Sequence, residues 1–106
     1  MSNQTDCCVI LTVTNDQKVA NILTESLIES GLAGCIQVDE VQSYYKWEGK
    51  LHKAHEFRLM IKAARVHYNE IVSVIKLKHN YQLPQIVKLD INNGSQEYIE
   101  WLVGTK

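Results

Sequence analysis

Residues 34–64 read GCIQVDEVQSYYKWEGKLHKAHEFRLMIKAA, and the fold turns on how this stretch pairs with itself. Gly34 to Trp47 has the composition of a strand. Its apolar side chains change parity: Ile36 and Val38 occupy even positions, whereas Val41, Tyr45 and Trp47 occupy odd ones. A one-residue slip moves a strand's whole apolar set to the other face, so the switch at Asp39-Glu40 predicts a bulge or kink there. Trp47-Glu48-Gly49-Lys50 predicts a tight turn. From about Leu51 to Ala64, Phe57, Leu59, Ile61 and Ala63 share one face, and Glu56, Arg58, Met60 and Lys62 share the other. The stretch is a long β-hairpin.

Working outward, Cys7 to Thr14 reads as a strand apolar on both faces, with Val9, Leu11 and Val13 opposite Cys8 and Ile10, which suits a central position. Thr14-Asn15-Asp16-Gln17 matches a capping box, and Val19, Ile22, Leu23 and Leu27 carry a helical period that Gly31 ends. On the other side of the hairpin, Tyr68, Ile71, Val72 and Ile75 predict a helix over about Val66 to His79, starting without a good cap. Pro84 ends that connection, Val87, Leu89 and Ile91 alternate as a fourth strand, and Ser95 caps a short last helix whose Tyr98, Trp101 and Leu102 are expected to face inward. The order β-α-β-β-α-β-α predicts an α+β, ferredoxin-like sandwich with a long central hairpin and an extra C-terminal helix, one sheet with its helices on one face.

The 106 residues make one domain, spanning 1–106. The apolar share of 45% and charged share of 22% argue against disorder, and the longest apolar run, Cys7 to Leu11, is far short of the roughly 20 residues of a membrane span. Residues 46–88 carry nine bases against Glu48, Glu56 and Glu70, while the segments on both sides are acidic. These charges either interleave on folding or form a basic face for an anion or nucleic acid. Three cysteines cannot all pair within one chain, and Met1 to Asp6 shows no secretory signal, so free thiols and a cytoplasmic location are expected.

Hairpin arms of about 14 residues span roughly 45 Å at 3.3 Å per residue. A compact globule of this length is only about 33 Å across. The tip must therefore protrude, and it carries Val41, Tyr44, Tyr45 and Trp47. An isolated ribbon is marginal in water, and burying one large apolar side chain is worth about 1.5–3 kcal/mol. A homo-oligomer is expected, with the tip docked on a neighbouring copy.

Gly31-Leu32-Ala33-Gly34-Cys35-Ile36, Ser43-Tyr44-Tyr45-Lys46-Trp47-Glu48-Gly49, Glu56 through Ile61-Lys62, His79-Asn80-Tyr81-Gln82-Leu83-Pro84 and Tyr98-Ile99-Glu100-Trp101 resemble the divalent-ion tolerance (CutA) family. The resemblance runs from about Val9 to Trp101. It implies a ferredoxin-like subunit in a tight homotrimer, held partly by strand pairing between subunits, and a link to divalent metals, chiefly copper. It implies no enzymatic reaction. It also favours Trp47, Glu56, Lys62 and Tyr81 as the lining of a cleft between subunits. Some members of the family have a cysteine, a proposed copper ligand, where Thr12 stands here. The same members have paired histidines where this chain has Lys78-His79, and a proline where it has Asn80. Of that proposed site only His79 survives.

His79 falls at a helix end, where a protonated imidazole suits the helix dipole as well as a metal would. Cys35 fits either a small buried hydrophobe or a soft ligand for copper(I). These two residues are the candidate metal ligands. His52 and His55 are three apart on a strand and face opposite sides, so they do not chelate. A lysine beside aromatics, as implied for Lys62, suits a small anionic ligand, a carboxylate or phosphate. The alternative function is an RNA-binding domain stacking bases on Tyr44, Tyr45 and Trp47. Nucleic acid is disfavoured by the pI near 6.4 and the lack of an RNP-like glycine-aromatic motif. An enzyme ranks last, because no nucleophile is spaced beside Glu56 or His79 and no P-loop or G-x-S-x-G occurs.

Overall fold

The computed structural model describes residues 6–104. The reading of residues 1–5 as free of a leader signal lies outside them. Strand β1 (Cys7–Thr14), helix α1 (Gln17–Glu29), strands β2 (Cys35–Trp47) and β3 (Lys50–Ala64), helix α2 (Tyr68–Lys78), strand β4 (Val87–Asp90) and helix α3 (Gln96–Gly104) follow in order. They form one antiparallel sheet in the order β2-β3-β1-β4. An α+β fold was expected, and it is what forms. Helix α2 starts two residues later than the periodicity predicts, after a single 3₁₀ turn over Arg65–His67, and neither Ala64 nor His67 provides a side-chain cap.

No bulge interrupts β2. The pairing runs without a slip from Cys35 opposite Lys62 to Trp47 opposite Lys50. The change in parity has a different cause. At the base of the sheet, Ile36 joins Cys8, Ile10, Leu59, Ile61 and Ala63 beneath Leu23, Leu27, Ile71 and Ile75 of α1 and α2. Beyond the reach of those helices the apolar residues of β2 lie on the opposite face. Glu48 and Gly49 close the hairpin, both with positive φ (51° and 76°), as a two-residue turn of this hand requires.

The helices do not share one face, as was expected. Helix α3 packs on the reverse side, where Ile99 and Leu102 bury Cys7 against Cys35, Ile91 and Val103. Cys7 and Cys8 are neighbours that point into different clusters, as alternation on a strand demands. Tyr98 and Trp101 do not face inward. They stack on each other at the surface with ring centroids 5.7 Å apart, and Ile99 takes the inner position. The cap of α1 also differs from the expected box: Asp16 accepts the Lys18 backbone N–H at 2.9 Å. Gly31 ends that helix at φ 78°, with the Leu32 and Ala33 N–H groups both donating to the Leu27 carbonyl.

The principal extents are 49 × 25 × 21 Å. The long axis comes from the ribbon, whose outer half has no helix over either face.

Candidate functional site

The turn after α2 is tied to the end of β1 and so fixes the site. Thr14 Oγ1 donates to Asn80 Oδ1 at 2.6 Å, and Asn80 Nδ2 donates to Asn15 Oδ1 at 2.8 Å. His79 accepts the Tyr81 backbone N–H on Nδ1 (3.0 Å), so the proton sits on Nε2, which donates to the Val13 carbonyl at 2.8 Å. The imidazole acts as a strut between β1 and the turn. Both nitrogens are used, and a metal would have to break one of these bonds.

The strut sets Tyr81 against β3. Its hydroxyl donates to Glu56 Oε2 at 2.6 Å. Glu56 is only 5% exposed, although it shares its face of β3 with Arg58 and Lys62. Burial first, and then the hydrogen bond and charge of Glu56, raise the Tyr81 pKa above that of an ordinary phenol. Arg58 does not reach Glu56. It forms a bidentate pair with Asp39, its cross-strand partner, at 2.8 and 3.1 Å. His55 likewise meets Glu40 at 2.9 Å. At these two places the basic and acidic segments interleave.

From Glu56 a trough of about 670 Å³ runs along the reverse face of the ribbon toward the tip. Tyr45, Trp47 and His52 come from the hairpin, Val13 from β1, and Tyr81 and Leu83 from the turn. Tyr45 and His52 stack face to face, 5.4 Å between centroids and 11° between planes. Trp47 donates its indole N–H to Glu48 Oε1 at 3.0 Å, which holds the ring at the tip.

Three of the expected cleft residues, Trp47, Glu56 and Tyr81, therefore line one concavity. Lys62 does not. It lies six residues, roughly 20 Å, from Glu56 along β3, with Nζ 5.7 Å from the Tyr98 ring centroid. The basic group on which the anionic-ligand expectation rested is absent from the trough of this chain. Cys35 sits half-buried against the α3 cluster, at the other end of the sheet from His79. Among the described residues no three His, Cys, Asp or Glu side chains come together to hold a metal. Thr12 is fully buried, and its hydroxyl has no hydrogen-bond partner among those residues. A single chain's described donors thus do not fit a resident metal ion. Tyr44 and Tyr45 point to opposite faces, Tyr44 toward Lys53, so with Trp47 they form no single platform for bases.

The sheet order, the long ribbon and the trough along it define a small α+β protein. A family model, "CutA1 divalent ion tolerance protein", matches residues 8–105, and the chain belongs to that family. The divalent-cation tolerance protein CutA of Pectobacterium atrosepticum is 34% identical over 98 residues, which cover 92% of this chain and 89% of that one. The divalent cation tolerance protein (Cut A1) from Thermus thermophilus superposes with a TM-score of 0.89 at 29% identity, covering 93% and 97% of the two chains. The Archaeoglobus fulgidus structure, described as the periplasmic divalent cation tolerance protein CutA, gives 0.87 at 27% identity, covering 91% and 94%. These relatives are named tolerance proteins, not enzymes. Among the described residues no helix is long and apolar enough to cross a membrane.

Sequence reasoning missed the burial of Glu56 and the bonding of His79. Glu56 and Tyr81 are 25 residues apart, and no spacing rule links them. The resemblance alone pointed to the pair.

Proposed function

We propose that this chain works as a cytoplasmic homotrimer of ferredoxin-like subunits, a divalent-cation response module and not an enzyme, which takes a small ligand in the trough. Family membership supports the cation link. The observation that carries the trimer is the ribbon: it stretches the molecule to 49 Å and leaves Tyr45 and Trp47, each about half exposed, outside any helical cover. The uncovered reverse face adds Val87 and Leu89 on the edge strand β4. Apolar surface of this kind gains from burial against a second copy. Sedimentation at micromolar concentration tests the assembly, with three times the 12.1 kDa chain mass expected and a monomer mass overturning it.

Of the divalent cations, copper is the one proposed. Because one chain supplies no ligand set, a copper contact belongs to a junction between copies. Calorimetry with copper(II) on tag-free protein is the test. Saturable heat, unchanged in a His79→Ala variant, is expected, since that ring is already committed to Val13 and Tyr81. No heat at all overturns direct binding and leaves tolerance as an indirect effect.

A further inference from the structure

Away from the trough, the loop between β4 and α3 carries reactive chemistry. It reads Ile91-Asn92-Asn93-Gly94-Ser95, and residues 92–95 are all exposed. The loop lies at the Cys7 end of the sheet, where the Ile91 backbone N–H donates to the Cys7 carbonyl. The ribbon leaves from the other end, beyond Phe57 opposite Thr14. Residues 92–95 are polar or lack a side chain, so they offer a neighbouring copy no large apolar group to bury.

Asn93 folds back on its own backbone, and its Oδ1 accepts the Gly94 N–H at 3.0 Å. The side-chain amide carbon, one bond from that oxygen, is thereby held beside the Gly94 nitrogen. A side chain on the following residue would crowd that nitrogen, but a glycine leaves it open. The fold itself selects the glycine. A Cβ at position 94 would come within 3.1 Å of Ile99 Cδ1 and 3.3 Å of Ile99 Cγ1, and Ile99 is buried in the cluster over Cys7. Gly94 has no positive φ, so it serves for space and not for backbone freedom.

We infer that Asn93-Gly94 is a self-modifying site, which converts Asn93 to isoaspartate in the folded protein. The Gly94 nitrogen gives up its proton and bonds to Asn93 Cγ. The Cγ–Nδ2 bond breaks, and the leaving nitrogen takes up a proton and departs as ammonia, which leaves a five-membered cyclic imide. Water then opens the imide. Cleavage between the nitrogen and the Asn93 main-chain carbonyl carbon gives isoaspartate, and cleavage at Cγ gives aspartate. The net exchange is water for ammonia and needs no oxidant or reductant. The new carboxylate stands just ahead of α3, on the side its helix dipole favours. The isoaspartyl link adds one backbone carbon before Ser95, whose Oγ accepts the Tyr98 N–H and whose carbonyl accepts the Ile99 N–H.

The full-length protein, held in warm, mildly alkaline buffer and sampled over time, tests this by peptide mass mapping. Isoaspartate is read separately, by methyl transfer from labelled S-adenosylmethionine with an isoaspartyl methyltransferase. The amide-to-acid mass change should appear first at Asn93, with methyl acceptance rising in step. Asn92 is equally exposed but precedes a residue with a Cβ, and it should stay unchanged over the same interval. Asn93→Gln should lose both signals, because its longer side chain has to close a six-membered ring. A parallel incubation in urea isolates the folded geometry, and conversion should be as fast folded as unfolded. Protection by about tenfold or more in the folded protein, the mark of a loop that must first open or be uncovered by a neighbour, overturns the inference. So do an earlier change at another asparagine and a mass change at Asn93 without methyl acceptance.

Discussion

The base of the sheet and the outer ribbon are built from the same two strands, in one unbroken register, yet they face opposite packing problems. At the base, β2 and β3 lie between α1 and α2 on one side and α3 on the other, and Leu59, Ile61 and Ala63 are fully buried. In the ribbon the same alternation continues with nothing laid across it, and Tyr44, Trp47 and Leu51 are exposed. The contrast shows that pairing sets where a strand goes, while burial depends on what happens to cover it. Between the two regions sits the Glu56–Tyr81 contact, where a turn from the base reaches over to the ribbon.

The largest effect should come from the base. Leu59→Ala removes a fully buried side chain and should lower the free energy of unfolding by about 3 kcal/mol in urea melts. A loss under about 1 kcal/mol would mean the base is packed no better than the ribbon. Next, Trp47→Ala should leave subunit folding almost unchanged but weaken assembly by about 1.5–3 kcal/mol, roughly 10- to 100-fold in the dissociation constant measured by dilution sedimentation. Unchanged assembly would strip the tip of its packing role.

A smaller effect is expected at the hinge between regions. Tyr81→Phe takes the only described hydrogen bond from a buried carboxylate and should cost about 1–2 kcal/mol. It also has a pH signature. The folded state raises the Tyr81 pKa, so its contribution is fully present below the ordinary phenol value of about 10 and is lost as pH climbs above it. The unaltered protein should therefore lose stability from about pH 10 upward more steeply than the Phe variant, and parallel alkaline melts would remove Tyr81 from that account. Smallest of all, Asp39→Ala breaks the bidentate but exposed pair with Arg58 and should shift the urea midpoint within experimental scatter.

Much of this was legible in the chain itself. Gly31, Gly49 and the alternation of residues 57–63 give the element order, the turn and the inward face of β3. The misreadings have one physical origin, which is that periodicity records that a face is apolar but not what lies above it. A parity change looks the same whether the strand slips or the cover moves to the other side, so β2 suggested a bulge that is absent. In α3, Tyr98/Trp101 and Ile99/Leu102 are both three apart, and only the position of Cys7 beneath them selects the second pair. The trough was legible in part. Trp47 and Tyr81 stand out as aromatic, but the strut made by His79 depends on a main-chain carbonyl, and no side-chain pattern announces it.

The uninterrupted rungs of the ribbon make it adjustable in length. Excising two facing pairs, such as Gln42–Ser43 with Ala54–His55, should draw the turn in by about 7 Å and restore every remaining side chain to its original side. Removing a single pair would invert everything beyond the cut. Reach can therefore change only in even steps, and that quantisation would let such a protein lengthen or shorten its grip on neighbours without redesigning the globule that carries it.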